Sequence, residues 1–242
     1  MDYETDSIIW FKDGKSYDHH ILGGKGAGLC MMTQLGLPVP PGFIIPTTVC
    51  KEFYKNSKKL PKNLMDNVKN AIQKLENITG KKFGGSKNPL LVSARSGAAI
   101  SMPGMMDTIL NLGLNDITVN ALATISNNKR FAYDSYRRFI QLFGKIVMNI
   151  DDTIFENILQ SYKEKSNLKF DYELTEENLK NIIISFKDII KTHSGKQFPT
   201  DPYEQLEMAI YSVFKSWMGK RAIAYRKKFN ISDDIADGTA VN

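Results

Sequence analysis

Cysteine and histidine are scarce in this sequence of 242 residues, which carries two cysteines and three histidines. Cys30 and Cys50 lie far apart and form neither a zinc-ligand spacing nor a disulfide framework. We interpret both as buried, small apolar residues of a protein in a reducing compartment. The histidines, His19, His20 and His193, lie outside any glycine-rich or serine-rich catalytic setting, and we expect them to be structural or solvated. The sequence shows no Ser-His-Asp arrangement and no metal-type cluster of carboxylates, so it predicts neither a catalytic residue nor a metal site.

Long apolar runs are also missing, and none approaches the length of a membrane-spanning helix. The segment Met1–Asp6 is acidic and lacks an apolar core, unlike a signal or transit peptide. These two absences, together with the isolated cysteines, predict a cytoplasmic protein without a membrane partner.

The charge of the chain is moderately basic, with a formal net charge of +6. Lysine pairs occur at Lys58–Lys59 and Lys81–Lys82, but no dense basic run is interleaved with aromatic residues. Nucleic acid is therefore not an expected partner. Two interpretations of the charge stay open: an ordinary lysine-rich surface, or a need to hold a polyanionic ligand. Arg137 and Arg138, adjacent on a predicted helix, are expected on a solvated face.

One stretch, Pro89–Gly113, combines a short apolar run, a single arginine and a glycine-bearing loop. The run Leu90–Val92 is typical of a buried strand, and Arg95 follows at its predicted end. Around Pro103–Gly104 the loop carries large apolar residues, for which a surface loop has no folding reason: Ile100, Met102, Met105 and Met106. A loop that closes over a flat apolar ligand does have such a reason. Taken alone, Arg95 is equally consistent with an ion pair inside the fold.

A second glycine-rich segment, Ile21–Leu29, carries Lys25 and continues with apolar residues at helical spacing up to Gly36. A glycine-rich turn that opens a helix suits phosphate, because the helix N-terminus offers free N–H groups and the positive end of the dipole. The segment matches neither a Walker A loop nor a dinucleotide-binding fingerprint, and a plain tight turn stays open as the alternative. Lys25 and Arg95 together, each in a glycine-bearing loop, favour a shared site for a polyanion.

Glycine becomes scarce after Asn115, and helical periods dominate the rest of the chain. We therefore predict an α+β protein, in which an α/β unit is followed by a helical insert. The predicted parts are an α/β unit over residues 1–113, a helical insert over 114–200, and a long helix with a final strand over 201–242.

Capping residues mark where two of the predicted helices begin. Thr175 is predicted to cap a helix of the insert, and Asp201 to cap the long helix, which is expected to run to about Phe229. A strand is predicted to begin at Thr239. Because a lone strand has to pair with another, the third part is expected to return to the first.

Six segments of the chain share residues and order with one known family. They are Leu22–Leu29, Gly36–Phe43, Ser93–Gly97, Ser101–Asp116, Phe131–Ile140 and Gly238–Asn242. In these segments the sequence resembles the pyruvate, phosphate dikinase family, and Met102–Thr108 is the most specific stretch. The related pyruvate, water dikinase family shares the glycine-lysine and arginine-serine elements but is expected to differ in that stretch. Ala94 departs from the pattern, since many family members carry valine there.

The resemblance implies an ATP-grasp-like nucleotide-binding domain with a helical insert, at the N-terminus of a longer enzyme. Such an enzyme interconverts ATP, phosphate and pyruvate with AMP, pyrophosphate and phosphoenolpyruvate, and a histidine on a swivelling domain carries the phosphoryl group. By motif match, Lys25 and Arg95 would bind the ATP phosphates, and the loop from Ser101 to Thr108 would close over the nucleotide. Backbone N–H groups of residues 104–106 would face the phosphates. The implied nucleotide-binding residues are Lys25, Arg95, Ser101, Gly104, Met105, Met106, Asp107 and Thr108.

The resemblance also implies what this chain would need from elsewhere. In the family, the Mg²⁺ ligands, the phosphocarrier histidine and the pyruvate site come from later parts of the protein. We therefore expect an isolated fragment that binds ATP or AMP but is inactive alone. The expected partners are the swivelling phosphohistidine domain of the same full-length chain, docking near Tyr225 and Arg226, and a second copy in a homodimer. A pyruvate, water dikinase fragment and a non-catalytic nucleotide-binding or docking module stay open as alternatives.

Overall fold

The computed structural model describes residues 7–15, 18–232 and 238–242, and the acidic segment Met1–Asp6 lies outside them. The fold combines helices and short strands, which confirms the predicted mixed class. The strands are β1 (Ile9–Trp10), β2 (Phe43–Ile44), β3 (Lys82–Phe83), β4 (Pro89–Leu90), β5 (Val92–Ala98), β6 (Thr108–Leu112) and β7 (Thr239–Val241). The helices are α1 (His19–Gln34), α2 (Thr47–Lys55), α3 (Leu64–Thr79), α4 (Thr118–Ser126), α5 (Lys129–Ile146), α6 (Asp152–Lys165), α7 (Glu176–Ser194), α8 (Pro202–Ser216) and α9 (Lys220–Lys228), with a 3₁₀ turn at Asp171–Glu173. None of the helices in these ranges is long and apolar enough to cross a membrane.

The chain divides into two compact units, each assembled from separate stretches of sequence. The first unit comprises Met1–Gly80, Ser93–Thr108 and Ala209–Asn242, and the second comprises Lys81–Val92 and Ile109–Met208. Both candidate cations, Lys25 and Arg95, belong to the first unit. The three-part division at residues 113 and 200 stays a prediction.

Short antiparallel strand pairs organise the first unit. β1 pairs with β2, and β7 pairs with β5, with Gly97 opposite Ala240. A single further bridge joins Val241 to Ile45. The strand predicted from Thr239 therefore forms, and β5 satisfies its backbone N–H and C=O groups.

The core of the first unit gathers residues from α1 and from the strands. One cluster of its buried members consists of Ile9, Phe11, Leu22, Ala27, Cys30, Ile44 and Ala240. Both cysteines are buried, as predicted. Burial raises the pKa of the Cys30 thiol to about 11, so the thiol stays protonated at neutral pH and packs as a small apolar side chain.

Amphipathic helices build most of the second unit. α5 and α7 each bury one apolar stripe. Thr175 caps α7 as predicted, because its hydroxyl oxygen accepts a hydrogen bond from the backbone N–H of Asn178. Phe155 on α6 and Phe186 on α7 are fully buried and meet edge to face, with 5.0 Å between ring centroids. Local periodicity therefore decides which face each helix buries, and aromatic contacts hold the faces together.

The strand that carries Arg95 differs from the prediction. The apolar run predicted as one strand over Leu90–Val92 is divided between β4 and β5. β5 continues to Ala98, so Arg95 lies inside the strand instead of at its end. The extension has a tertiary cause, because β5 pairs with β7, which is distant in sequence.

The long helix predicted from Asp201 is in fact two helices. Asp201 caps α8 as predicted, since its carboxylate accepts from the N–H groups two and three residues ahead. However, α8 ends at Ser216 and α9 begins at Lys220. The N–H of Trp217 donates to the carbonyl of Phe214, three residues back, at 3.2 Å, which closes a 3₁₀-type turn instead of continuing the α-helix.

Arg226 on α9 stabilises this break. Its guanidinium carbon lies 3.9 Å from the centre of the Trp217 ring, and one guanidinium N–H donates to the Trp217 carbonyl at 2.8 Å. Both residues are buried. Arg226 is thus engaged inside the first unit, and Tyr225 packs against Phe229. Docking of another domain near these two residues stays a prediction.

Arg137 in the second unit is also buried, which contradicts the predicted solvated pair. It is 2% exposed, and its guanidinium is paired with Asp134 and Asp171. Lys163 reaches Asp171 as well, at 3.0 Å, whereas Arg138 stays exposed and pairs with Asp134. Burial of Arg137 is tolerated because carboxylates offset its desolvation, and one of them comes from the distant 3₁₀ turn.

Candidate functional site

The predicted glycine turn lies inside α1, at a kink. The side chain of Asp18 accepts from the N–H of Ile21, so the helix begins at His19, earlier than predicted. Gly23 then leaves helical geometry, with φ 68° and ψ 158°, and the helix resumes after it. Glycine adopts this conformation far more readily than any other residue. The segment that carries Lys25 therefore starts a new helical run after a glycine turn, as the sequence predicts.

The kink also brings the turn against β5. A side chain at Gly23 would collide with the carbonyl group of Gly97. An ideal Cβ at Gly24 would lie 3.4 Å from the carbonyl oxygen of Ala99. The two backbones approach each other closely because these positions carry no side chain, and Lys25 is thereby held beside the strand of Arg95.

Arg95 projects from β5 into solvent. Its neighbours Ala94 and Ser96 are buried while Arg95 is exposed, as the alternation of strand faces requires. The backbones of Arg95 and Asn242 exchange N–H···O bonds of 3.0 and 2.8 Å. The neighbouring chain segment thus holds the Arg95 backbone, while the guanidinium faces outward.

Lys25 and Arg95 form a pair of like charges. The surroundings of the Lys25 ammonium are partly desolvated, and this burial, together with the positive charge of Arg95, lowers the pKa of Lys25. Lys25 as a whole residue remains exposed. Within residues 7–15, 18–232 and 238–242, neither cation is ion-paired with a carboxylate. An external anion would relieve the repulsion between the two charges, so the arrangement favours anion binding.

The loop predicted to cover a ligand is tied to α9. The N–H of Met105 donates to the carbonyl of Met102 at 3.2 Å, closing a turn at Gly104, where φ is 71°. Arg221 donates to the carbonyl of Gly104 at 3.1 Å and to the carboxylate of Asp107 at 3.2 Å. The loop therefore has a defined resting position in the first unit.

The base of the same loop lies next to the strand of Arg95. Ser96 donates its N–H to the carbonyl of Asp107 at 3.4 Å, and the N–H of Asp107 faces the hydroxyl of Ser216 at 3.4 Å. Six of the predicted site residues belong to this loop and the strand start that follows. Ser101 and Gly104 are exposed, and Met105, Met106, Asp107 and Thr108 are half-buried. The fold thus brings the loop base towards Arg95, and the roles of all eight predicted residues stay predictions.

Three residues of this region were missed by the sequence reasoning: Ser216, Arg221 and Asn242. Each reaches the region only because the end of the chain folds back on the first unit. Arg221 sits among other basic residues on α9, where nothing in the local pattern distinguishes it. Only the motif match at Gly238–Asn242 carried a signal, and it did not single out a side chain.

No metal site is formed by the described part of the chain. Over those ranges, no group of three or more His, Cys, Asp or Glu side chains is placed to hold a metal ion. Asp107, a carboxylate of the candidate site, is paired with Arg221. The chemistry that these residues supply is charge neutralisation and hydrogen bonding to an anion.

The described residues place a glycine kink, two cations that pair with no carboxylate in those ranges, and a tethered loop in a protein of mixed helices and strands, and this combination makes the region a candidate site for phosphate groups. The comparison with protein families narrows this class. Residues 19–59 and 56–241 match the family model described as pyruvate phosphate dikinase, AMP/ATP-binding domain. The chain belongs to this family, and the resemblance stated from the motifs is confirmed.

Curated relatives carry the same family name. The chain is 56% identical over 235 residues to the pyruvate, phosphate dikinase of Entamoeba histolytica, covering 97% of this chain and 27% of the relative. It is 47% identical over 236 residues to that of Clostridium symbiosum, with the same 97% and 27% coverage. It is 50% identical over 222 residues to that of Giardia intestinalis, covering 92% of this chain and 25% of the relative. The chain thus spans about a quarter of the length of these relatives.

Proposed function

We propose that this chain is the nucleotide-phosphate-binding part of a longer enzyme that converts ATP, phosphate and pyruvate to AMP, pyrophosphate and phosphoenolpyruvate, reversibly. One observation carries the proposal: burial and the charge of Arg95 lower the pKa of Lys25, and no carboxylate among the described residues pairs with either cation. Family membership supports ATP and AMP as the ligands that supply the missing negative charge.

Lys25 and Arg95 would act by positioning and neutralising phosphate groups. Phosphoryl transfer asks little covalent chemistry of the protein and depends on alignment and charge stabilisation. The guanidinium of Arg95 offers a planar fork for two phosphate oxygens, and the ammonium of Lys25 offers a point charge. An anion bound between them would raise the pKa of Lys25 again.

The loop from Ser101 to Thr108 would cover the nucleotide and supply backbone N–H groups. In the resting position, the N–H of Met105 is used by the carbonyl of Met102, and Arg221 holds the carbonyl of Gly104. For the Met105 N–H to face a phosphate, this turn has to open. Loop closure would therefore exchange contacts inside the chain for contacts with the ligand.

The finer fold assignment belongs to the same proposal. We infer an ATP-grasp-like nucleotide-binding unit over residues 1–113, a helical insert over 114–200, and a return of residues 201–242 to the first part. The helices between Thr118 and Ser194 and the pairing of β7 with β5 support this arrangement.

The remaining parts of the activity would come from outside this chain. We propose that the Mg²⁺ ligands and the phosphocarrier histidine lie on other domains of the full-length protein, and that a swivelling domain collects the phosphoryl group. On this proposal the chain alone is inactive, and the full-length protein is a cytoplasmic homodimer. The relatives' greater length supports the need for further domains.

The experiment is ATP-dependent phosphorylation of the histidine in the full-length protein. Lys25→Met and Arg95→Leu should each lower its rate about 100- to 1000-fold, the loss that follows removal of one group that stabilises transition-state charge. Lys69→Met, an exposed lysine on α3, is the matched control and should keep the wild-type rate. Near-normal phosphorylation in both site variants would refute the assignment. Pyrophosphate release that does not depend on added phosphate would favour pyruvate, water dikinase instead.

A further inference from the structure

Asn242 lies between the two elements that carry the candidate cations. An ideal Cβ at Gly26 would lie 2.6 Å from Oδ1 of Asn242, and one at Gly97 would lie 2.7 Å from its Nδ2. The carboxamide is thus held between the glycine turn and β5, at two positions that leave no room for a side chain. It acts as a spacer of fixed thickness between the segment of Lys25 and the strand of Arg95.

Hydrogen bonds tie the same residue to Arg95. Nδ2 of Asn242 donates to the carbonyl of Arg95 at 3.2 Å, in addition to the two backbone hydrogen bonds between these residues. The guanidinium of Arg95 therefore projects from a backbone that Asn242 holds through its main chain and its side chain.

The other end of the carboxamide is not satisfied. Oδ1 of Asn242 is buried and has no hydrogen-bond partner among the residues that the structure describes. A buried polar atom without a partner destabilises a fold, and an apolar side chain of similar shape would avoid that cost. Stability alone therefore does not explain an amide at this position, whereas alignment of Arg95 does.

We propose that Asn242 is a positioning residue of the phosphate site, which keeps the Lys25 turn and the Arg95 strand at the separation that a polyphosphate bridges. The proposal rests on the proposed function and adds a residue to it. The ligand class is a nucleoside triphosphate whose phosphates contact both cations. Asn242 acts through Arg95 and through the turn, and does not itself touch the ligand.

The test compares ATP with adenosine, which lacks phosphates, by titration calorimetry on the full-length protein. Asn242→Leu keeps a similar size but cannot donate to the Arg95 carbonyl. We expect it to bind ATP about tenfold more weakly, the scale of one lost aligned contact, and to bind adenosine as the wild type does. Asn70→Leu, which replaces an exposed asparagine on α3, is the control and should change neither affinity.

A second variant keeps the test valid if the leucine variant does not fold. Asn242→Ser is smaller, so it introduces no clash with Gly26 or Gly97, yet it removes the spacer. It should show the same selective loss of ATP affinity with unchanged adenosine affinity.

The outcomes separate this proposal from the one on which it rests. If Lys25→Met weakens ATP binding while both Asn242 variants bind ATP normally, the positioning role is overturned and the phosphate site stands. Equal losses for ATP and adenosine in the Asn242 variants would also overturn it, because they would reveal a general effect on the fold. Unchanged ATP affinity in Lys25→Met would overturn the proposed phosphate site itself.

Discussion

Replacing Gly23 by alanine tests whether the kink in α1 depends on a missing side chain. The residue combines φ 68° and ψ 158° with a direct approach to the carbonyl of Gly97. Two separate costs follow, one from the backbone conformation and one from the collision. Because the atom that the new Cβ meets is backbone within a paired strand, it cannot turn aside as a flexible side chain could.

The expected magnitude follows from these two costs. A non-glycine residue in this conformation costs about 1–3 kcal/mol, and overpacking against fixed atoms costs about 1–3 kcal/mol more. We expect Gly23→Ala to lower the free energy of unfolding by about 4 kcal/mol, and the unfolding temperature by roughly 8–16 °C for a chain of this size.

Tryptophan fluorescence during urea denaturation is a suitable assay. The sequence has two tryptophans, Trp10 and Trp217, and both lie in the first unit with Gly23. Their signal therefore reports the unfolding of the unit that contains the kink.

Two further glycines of the same region provide matched controls. Gly36 has φ 75° but no atom within 4 Å of an added Cβ, so Gly36→Ala should cost only about 1 kcal/mol. Gly28 lies within α1, without positive φ and with open space around it, so Gly28→Ala should stabilise by about 0.5–1 kcal/mol. A cost of Gly23→Ala no larger than that of Gly36→Ala would refute the argument from close approach.

Two other predictions concern the charged groups. Burial alone would raise the pKa of Asp171, but the hydrogen bond from Lys163 and the charge of Arg137 outweigh it and lower the pKa below the ordinary 3.8. The resulting stabilisation is present above that value and is lost as the pH falls through the folded pKa. The unfolding temperature, measured from about pH 5 to pH 2.5, should therefore fall less steeply in Asp171→Asn than in the wild type. Equal slopes would contradict this prediction. Arg221→Leu should change stability by less than about 1 kcal/mol, because its ion pair is exposed, yet should speed amide hydrogen exchange over residues 104–107. The control Lys220→Leu should change neither the stability nor the exchange rate. Unchanged exchange in Arg221→Leu would show that other contacts hold the loop.

Much of the helical structure could be predicted because its causes are local. The apolar stripes of α5 and α7 repeat within single helices, and Thr175 and Asp201 cap the residues directly after them. The glycine turn near Lys25 could also be predicted, because a positive φ depends mainly on one residue being glycine. The prediction failed where the same local pattern continued past a break, as at Trp217, since helical periodicity alone carries no signal for a tertiary contact.

In the candidate site, too, some features could be predicted from the sequence and others depend on tertiary contacts. Motifs identified the family, and the family comparison confirmed it. The residue types at Lys25 and Arg95 favoured a polyanion, but their spacing in sequence says nothing about their separation in space. That burial and the charge of Arg95 lower the pKa of Lys25 is a property of the folded chain alone.

By itself the sequence determined the mixed class, two caps, the glycine turn and the family. These rest on period, on single-residue conformation and on motif order, which need no knowledge of distant neighbours. Only the tertiary structure decided the length of β5, the break after α8, the burial of Arg137 and the contacts of Asn242. For β5, Arg137 and Asn242 the deciding partner lies far along the chain, and at the break after α8 it is Arg226, nine residues beyond Trp217. Pairing, desolvation or close packing with these partners outweighs the local preference.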